Sequence, residues 1–195
     1  MARRYDPERR ERIVAAAVRV LEHRGIGGLT HRAVAAEAQV PLGSTTYHFD
    51  GGDALLVAAL ERVNADWLGA LERWITEVAA PARDAGAPLG DHVVALLDDW
   101  LGPRRAATEL LYELYFAGLQ RPALRPLAAH CLDEMVRLVE PLAGDPATAR
   151  AAIALLDGMV IQQLLSGRRQ SPDEVRATLG RLFPGTGSRP GPGTG

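Results

Sequence analysis

Five consecutive side chains in the first quarter of the chain can all form hydrogen bonds: Ser44, Thr45, Thr46, Tyr47 and His48. Hydroxyl groups donate and accept hydrogen bonds, and an imidazole nitrogen does either. Such groups bind the base edges and the phosphate oxygens of duplex DNA. Gly43 directly precedes them and would let the backbone approach a base edge closely. The chemistry of this strip therefore predicts a DNA contact.

The surrounding sequence predicts two short helices that position the strip. Thr30 is a suitable N-cap for a helix over 31–38, residues 39–41 form a turn, and a second helix covers 42–49. Val40 is expected to pack in a small core with four other residues, which are Leu21, Leu29, Val34 and Phe49. The second helix has little to bury, so its polar face is either solvated or meets a partner. The layout is that of a helix-turn-helix, whose second helix enters the major groove.

Composition excludes several classes of protein. There is no lysine, which rules out a Walker-A loop or a Schiff-base lysine. The net charge of −2 does not suit a protein that binds nucleic acid over its whole surface. A single cysteine, Cys131, excludes an internal disulfide and fits a cytoplasmic location. No segment has the pattern of a signal peptide or a membrane span, so no membrane partner is expected.

The rest of the chain predicts an all-α fold of about nine helices. We expect a first helix over 7–23, a long fourth helix over 54–79 capped by Asp53, and a linker over 81–88. The later helices are predicted at 89–101, 103–119, 122–142, 146–166 and 172–183. The expected domains are a DNA-binding domain over 1–52, a ligand-binding and dimerisation domain over 53–183, and a disordered Gly/Pro-rich tail over 184–195.

The helix over 146–166 is apolar nearly all round, which requires burial on more than one side. A two-fold related partner would provide the missing cover. Two recognition helices one turn of DNA apart would then read a near-palindromic operator in double-stranded DNA.

Residues 32–60, which read RAVAAEAQVPLGSTTYHFDGGDALLVAAL, resemble the TetR family of transcriptional regulators. The resemblance is carried by Tyr47-His48-Phe49 at the end of the recognition helix, a short polar turn, and an acidic residue before Leu55-Leu56. It implies a dimer formed by the last two long helices, 146–166 and 172–183. It also implies a repressor: a small molecule enters the C-terminal domain, moves the fourth helix and separates the two recognition helices.

The resemblance assigns roles to individual positions. His31 and Arg32 would approach phosphates or a base edge, and Tyr47 and His48 would hold phosphates. The positions that would face bases are Leu42, Gly43, Ser44 and Thr46. The chain departs from the family pattern at Gln39, where glycine is common and a positive φ is expected. It also lacks the usual lysine before the fourth helix, which weakens one phosphate contact.

Aromatic, sulfur-containing and polar side chains on the predicted C-terminal helices are the candidates for effector binding. They are Trp67, Trp100, Tyr112, Glu113, Phe116, Met135, Met159 and Gln163. Each of them is equally compatible with ordinary core packing, and nothing in the sequence identifies the effector.

Two other functions are compatible with an all-helical chain. An enzyme is disfavoured because the five histidines are scattered and no catalytic or metal-binding motif occurs, so no cofactor and no metal site is predicted. An all-helical interaction module with a weakened DNA-binding head is the remaining alternative, because the phosphate-contacting lysine is missing.

Overall fold

A computed structural model of the chain describes residues 7–182, and all the regular secondary structure in that range is helical. The α-helices are α1 (Pro7–Arg24), α2 (His31–Glu37), α3 (Leu42–His48), α4 (Gly51–Trp74), α5 (Ala80–Asp84), α6 (Leu89–Leu101), α7 (Arg105–Gln120), α8 (Arg125–Ala143), α9 (Pro146–Ser166) and α10 (Pro172–Leu182). The predicted all-α fold is confirmed. The tail predicted over 184–195 lies outside the described residues.

Local capping explains the helix-turn-helix. α1 ends at Arg24. The next residue, Gly25, has a positive φ of 64°, and a short 3₁₀ turn (Ile26–Gly28) follows. Thr30 caps α2 as predicted, because its hydroxyl accepts a hydrogen bond from the amide of Ala33 at 3.1 Å. Gln39 has a φ of 55°, which confirms the positive value expected at the turn between α2 and α3.

The described residues form two compact units by their internal contacts. The first comprises α1–α3, α4 up to residue 67, and residues 106–131 from α7 and the start of α8; the second comprises residues 68–105 and those from 132 onward. The domain boundary predicted at 52/53 does not coincide with this packing division. The difference arises because α7 and the first half of α4 bury their apolar faces in the same core as α1.

The core of the first unit confirms the predicted packing of the helix-turn-helix. Leu21, Val34 and Phe49 are buried in it, and Leu29 and Val40 pack against it. Residues from α7, from α8 and from the turn between them complete this core, and they are Leu110, Leu114, Leu124 and Ala128.

The start of α4 and the linker after it differ from prediction. α4 begins at Gly51, whose φ is 86°, so Asp53 lies inside the first turn and does not cap the helix. The helix continues through one π-helical stretch (Ile75–Ala79) directly into α5, which covers the first half of the predicted linker. A wide turn just before Pro81 is understandable, because proline has no N–H and its ring clashes with the carbonyl four residues earlier in a regular α-helix.

Two further helices begin later than predicted. Pro103 and Pro122 precede α7 and α8 by two and three residues, so each lies in a turn and not at the first helical position. The predicted bounds of α6 and α9 are confirmed. Asp145 caps α9 by accepting from the amides of Ala147 and Thr148, and Gly167, with a φ of 67°, ends it.

Candidate functional site

The exposed side of α3 carries most of the residues that the sequence singled out. Leu42 is 45% exposed and Tyr47 is 55% exposed, and Gly43 and Thr46 are also exposed. His48 is half-buried, and its ring meets that of Tyr47 edge-to-face with centroids 5.2 Å apart. This surface offers a methyl-rich side chain, a hydroxyl and a phenol to the outside, a combination suited to base methyl groups, base edges and phosphates.

Ser44 does not belong to this surface, contrary to the prediction that it faces bases. It is only 3% exposed, and its hydroxyl is buried without a hydrogen-bond partner among the described residues. Successive residues of an α-helix are about 100° apart, so Ser44 and the fully buried Thr45 share the side of α3 that faces the core. The Thr45 hydroxyl donates to the carbonyl of Leu42 at 2.8 Å, which satisfies it inside the helix.

Of the two residues in the first turn of α2 that are predicted to contact DNA, one is exposed to solvent. Arg32 is exposed, whereas His31 is half-buried and both of its ring nitrogens are shielded from solvent. His31 is therefore placed less favourably than Arg32 for a direct hydrogen bond to DNA. Its role there stays a prediction.

Two arginines on α1 hold the helix-turn-helix in place. Arg19 Nε donates to Glu37 Oε1 at 2.6 Å, which ties α1 to the end of α2, and this hydrogen bond lowers the pKa of the Glu37 carboxyl. The Arg10 guanidinium lies over the ring of Phe49, 5.2 Å from its centroid. The surface of α3 is thus presented by a braced three-helix frame.

The second unit contains an apolar cavity of about 450 Å³. Its walls come from the ends of α4 and α8 and from α6, α9 and α10, with Trp74 and Trp100 as the two aromatic side chains. The aliphatic walls are Leu71, Leu89, Val93, Leu96, Val139, Leu142, Ile153, Leu156 and Leu179. A cavity of this size and lining is suited to a small apolar or aromatic ligand.

Charged groups occur on one side of this cavity. Arg176 donates from Nε to Asp91 and from Nη1 to Asp173, both at 2.6 Å, and all three residues line the cavity. The hydrogen bond to Asp91 is the main cause that raises the pKa of the Arg176 guanidinium. These contacts join α6 to α10 along the cavity wall.

Only Trp100 among the eight predicted effector residues lines this cavity. Trp67, Tyr112, Glu113 and Phe116 belong to the first unit, and Phe116 is exposed. Met135 and Met159 are buried elsewhere in the second unit, and Gln163 lines a smaller cavity of about 230 Å³.

Glu113 and Gln163 have structural partners that the sequence did not reveal. The Glu113 carboxylate accepts a hydrogen bond from the amide of Ile26 at 3.0 Å, and the Gln163 side chain accepts one from the amide of Gln170 at 3.2 Å. Four apolar cavity residues of α6 carry a sequence signal, but it marks an apolar helix face and not a cavity. Leu89, Val93, Leu96 and Trp100 recur at helical spacing on one face of α6.

Comparison with known proteins decides the family. Residues 13–59 match the profile of bacterial regulatory proteins of the tetR family, and residues 86–185 match that of the tetracyclin repressor-like C-terminal domain. The chain belongs to the TetR family. It is therefore a helix-turn-helix transcriptional regulator and not an enzyme.

Individual TetR-family relatives agree with this assignment. An uncharacterized HTH-type transcriptional regulator of the dhlA 5′ region in Xanthobacter autotrophicus is 30% identical over 158 residues, which cover 75% of this chain and 73% of that protein. The crystal structure of the multidrug binding protein EbrR with ethidium is 47% identical, with a TM-score of 0.76, over 91% of this chain and 99% of that one. A TetR-family member from Streptomyces coelicolor A3 is also 47% identical, with the same coverage and a TM-score of 0.72.

No helix within residues 7–182 has the length and apolar character needed to cross a bilayer.

Proposed function

We propose that this TetR-family regulator is a homodimeric repressor that binds a near-palindromic operator and releases it when a small aromatic molecule binds in the second unit. The observation that carries the DNA-binding part is the exposed surface of α3. Four residues of this helix are exposed, and they are Leu42, Gly43, Thr46 and Tyr47. The side chains that α3 buries, Ser44 and Thr45, are polar, so burial of an apolar face does not account for this helix.

DNA recognition on this proposal divides into two kinds of contact. Leu42, Gly43 and Thr46 face the bases, where a methyl group, a bare backbone and a hydroxyl discriminate between base pairs. Arg32, Tyr47 and His48 hold phosphates and set the register of α3. Ser44 is left out because it is buried, and His31 contributes only if its ring turns outward.

The test of DNA recognition is selection of duplexes from random DNA, together with binding to the promoter region beside the protein's own gene. We expect nanomolar, salt-sensitive and sequence-selective binding that Tyr47→Ala or His48→Ala removes while the helical content is retained. If the wild-type protein enriches no sequence, or if both variants bind as well as it does, the chain is better described as a helical interaction module.

The dimer is supported by the outer face of α9. Ala147, Ala151, Ala154 and Leu165 are exposed, and Gly158 and Ile161 between them are half-buried, so apolar residues recur at spacings of three and four. Leu165, which is 84% exposed, lies at the end of this apolar row, and a continuous exposed apolar row is typical of an interaction surface where a single exposed leucine is not. We propose that a second copy covers this face together with α10, burying roughly 1,500 Å² or more.

The ligand is proposed to occupy the 450 Å³ cavity between Trp74 and Trp100. The cavity lining is apolar apart from one charged side, and EbrR, at 47% identity, has been crystallised with ethidium. A planar aromatic molecule of that size is therefore the class we propose. The other seven predicted effector residues do not line this cavity, and their role in effector binding stays a prediction.

Release requires that the ligand bind more tightly to the state with low DNA affinity than to the state with high DNA affinity. Ethidium fluorescence with the purified protein tests the cavity. Operator binding of the wild-type and Leu156→Trp proteins with and without ethidium tests release, because ethidium that only intercalates into the duplex would displace both proteins equally. Leu156→Trp would narrow the cavity and should weaken ethidium binding while operator binding is retained. Ethidium binding that Leu156→Trp leaves unchanged would place the ligand elsewhere, and tighter operator binding in the presence of ligand would contradict ligand-induced release.

A further inference from the structure

The turn between α1 and α2 is held by a residue from far along the chain. The amide of Ile26, at the start of the 3₁₀ turn, donates to Glu113 Oε2 at 3.0 Å across 87 residues of sequence. Three other amides of the turn bond locally. Gly25 donates to Leu21, Gly28 to Gly25 and Leu29 to Ile26, each through a backbone carbonyl. The amide of Ile26 therefore takes its acceptor from α7.

Gly25 makes room for this contact. A Cβ atom at this position would lie 3.2 Å from Oε1 and 3.3 Å from Oε2 of Glu113, closer than ordinary van der Waals contact. Its φ of 64° with ψ of −178° is also a conformation open mainly to glycine. The turn thus has both the backbone conformation and the open space that the carboxylate needs.

The carboxylate is presented from a fixed position. Leu110 and Leu114, three residues before and one residue after Glu113, are buried in the core that also contains Leu21 and Val34. A second polar contact occurs after α7 ends, where Arg121 Nη1 lies 3.7 Å from Asp53 Oδ1 in the first turn of α4. α7 and the residue after it therefore meet the chain on both sides of the helix-turn-helix, before α2 and after α3.

We infer that Glu113 is a positioning residue for DNA reading. Its hydrogen bond fixes the turn from which α2 departs, and α2 in turn packs against α3, so the carboxylate sets the angle at which the reading surface is presented. This inference rests on the proposed role of α3 in operator binding. Loosening the turn should harm base-specific contacts, which need an exact register, more than the phosphate contacts that support non-specific binding.

The test compares Glu113→Ala, Glu113→Gln and the wild-type protein. The probes are the duplex that the wild-type protein enriches from random DNA and a scrambled duplex of equal length, with fluorescence anisotropy as the readout. Glu113→Ala should reduce the ratio of specific to non-specific affinity about tenfold, the scale expected for one hydrogen bond to a charged acceptor. Glu113→Gln should retain most of the ratio, because the amide oxygen still accepts from Ile26. Glu61→Ala, which removes an exposed glutamate from α4, is the matched control.

The ratio separates positioning from stability, because a smaller folded fraction lowers both affinities equally. If wild-type protein enriches no duplex, the proposed DNA-binding function fails. If it does, and Glu113→Ala keeps the wild-type ratio or Glu113→Gln loses as much as Glu113→Ala, the positioning role is wrong.

Hydrogen exchange provides a check that does not depend on the folding of a variant. In the wild-type protein the amide of Ile26 should be more strongly protected than that of the exposed Gly27, each relative to its rate in an unfolded chain, and equal protection would overturn the inference.

Discussion

Replacing Gly25 by alanine tests the architecture of the α1–α2 turn without reference to DNA. An alanine at φ 64° and ψ −178° is strained by about 1–3 kcal/mol. Its Cβ would also crowd the Glu113 carboxylate at 3.2 Å, so the hydrogen bond to Ile26 would weaken, which adds about 1 kcal/mol. The stiffer unfolded chain offsets about 0.4–1 kcal/mol of this loss.

Gly27 is the matched control for this substitution. It lies in the same turn, a Cβ there would meet nothing within 4 Å, and it is not among the residues with positive φ. Gly27→Ala gains the same unfolded-state term, which cancels when the two variants are compared. The expected difference in free energy of unfolding is therefore about 2–4 kcal/mol, with each kcal/mol lowering the melting temperature by about 2–4 °C.

The assay is thermal and chemical unfolding followed by circular dichroism, with Glu113→Ala as a second background. In that background Gly25→Ala should lose less than in the wild type, because the carboxylate that it crowds is gone. Equal melting temperatures for the Gly25 and Gly27 variants would refute the strain argument. An identical loss in both backgrounds would refute the crowding argument.

Three further outcomes are expected. Leu165→Glu should convert the proposed dimer to a folded monomer in sedimentation experiments. Leu119→Glu, which replaces another exposed leucine, should leave the dimer intact. A Leu165→Glu variant that is still a dimer would contradict the proposed interface. Trp100→Ala should weaken ethidium binding at least severalfold in a fluorescence titration, and unchanged binding would contradict the cavity assignment. Hydrogen bonds from the Thr148 hydroxyl and amide lower the pKa of the Asp145 carboxyl. The stability that the ionised Asp145 contributes is therefore fully present above the ordinary carboxyl pKa. It is lost as the pH falls below about 4 and through the lowered pKa. Asp145→Asn should therefore lower stability at pH 7 and reduce its acid dependence in unfolding measurements, and an unchanged dependence would refute this assignment.

Local features of the fold were predictable from the sequence. The bounds of α6 and α9 and the cap of α2 follow from residues within a few positions of each helix end, such as Asp145, Gly167 and Thr30. The positive φ of Gln39 was predictable from the family resemblance, because TetR-family sequences commonly have glycine at this position of the turn and glycine adopts a positive φ readily.

Features that depend on tertiary packing were not predictable in this way. Ser44 resembles its exposed neighbours in chemistry, and only the way α3 docks on the first unit buries it. Glu113 looked like a polar cavity residue because its partner, Ile26, is 87 residues away and contributes only a backbone amide, which carries no sequence signal. The cavity was missed because its walls are ordinary leucines and valines, which periodicity assigns to a core whether or not the core is filled.

The single cysteine of the chain has a practical consequence. Cys131 is fully buried in the first unit, 3.7 Å from the hydroxyl of Tyr115. A thiol-reactive dye should therefore reach it only when that unit opens, so its labelling rate would report local unfolding. A second cysteine introduced at the exposed Thr46 would react far faster. Energy transfer between two such dyes could then measure the spacing of the α3 helices in a dimer while the native thiol stays in place.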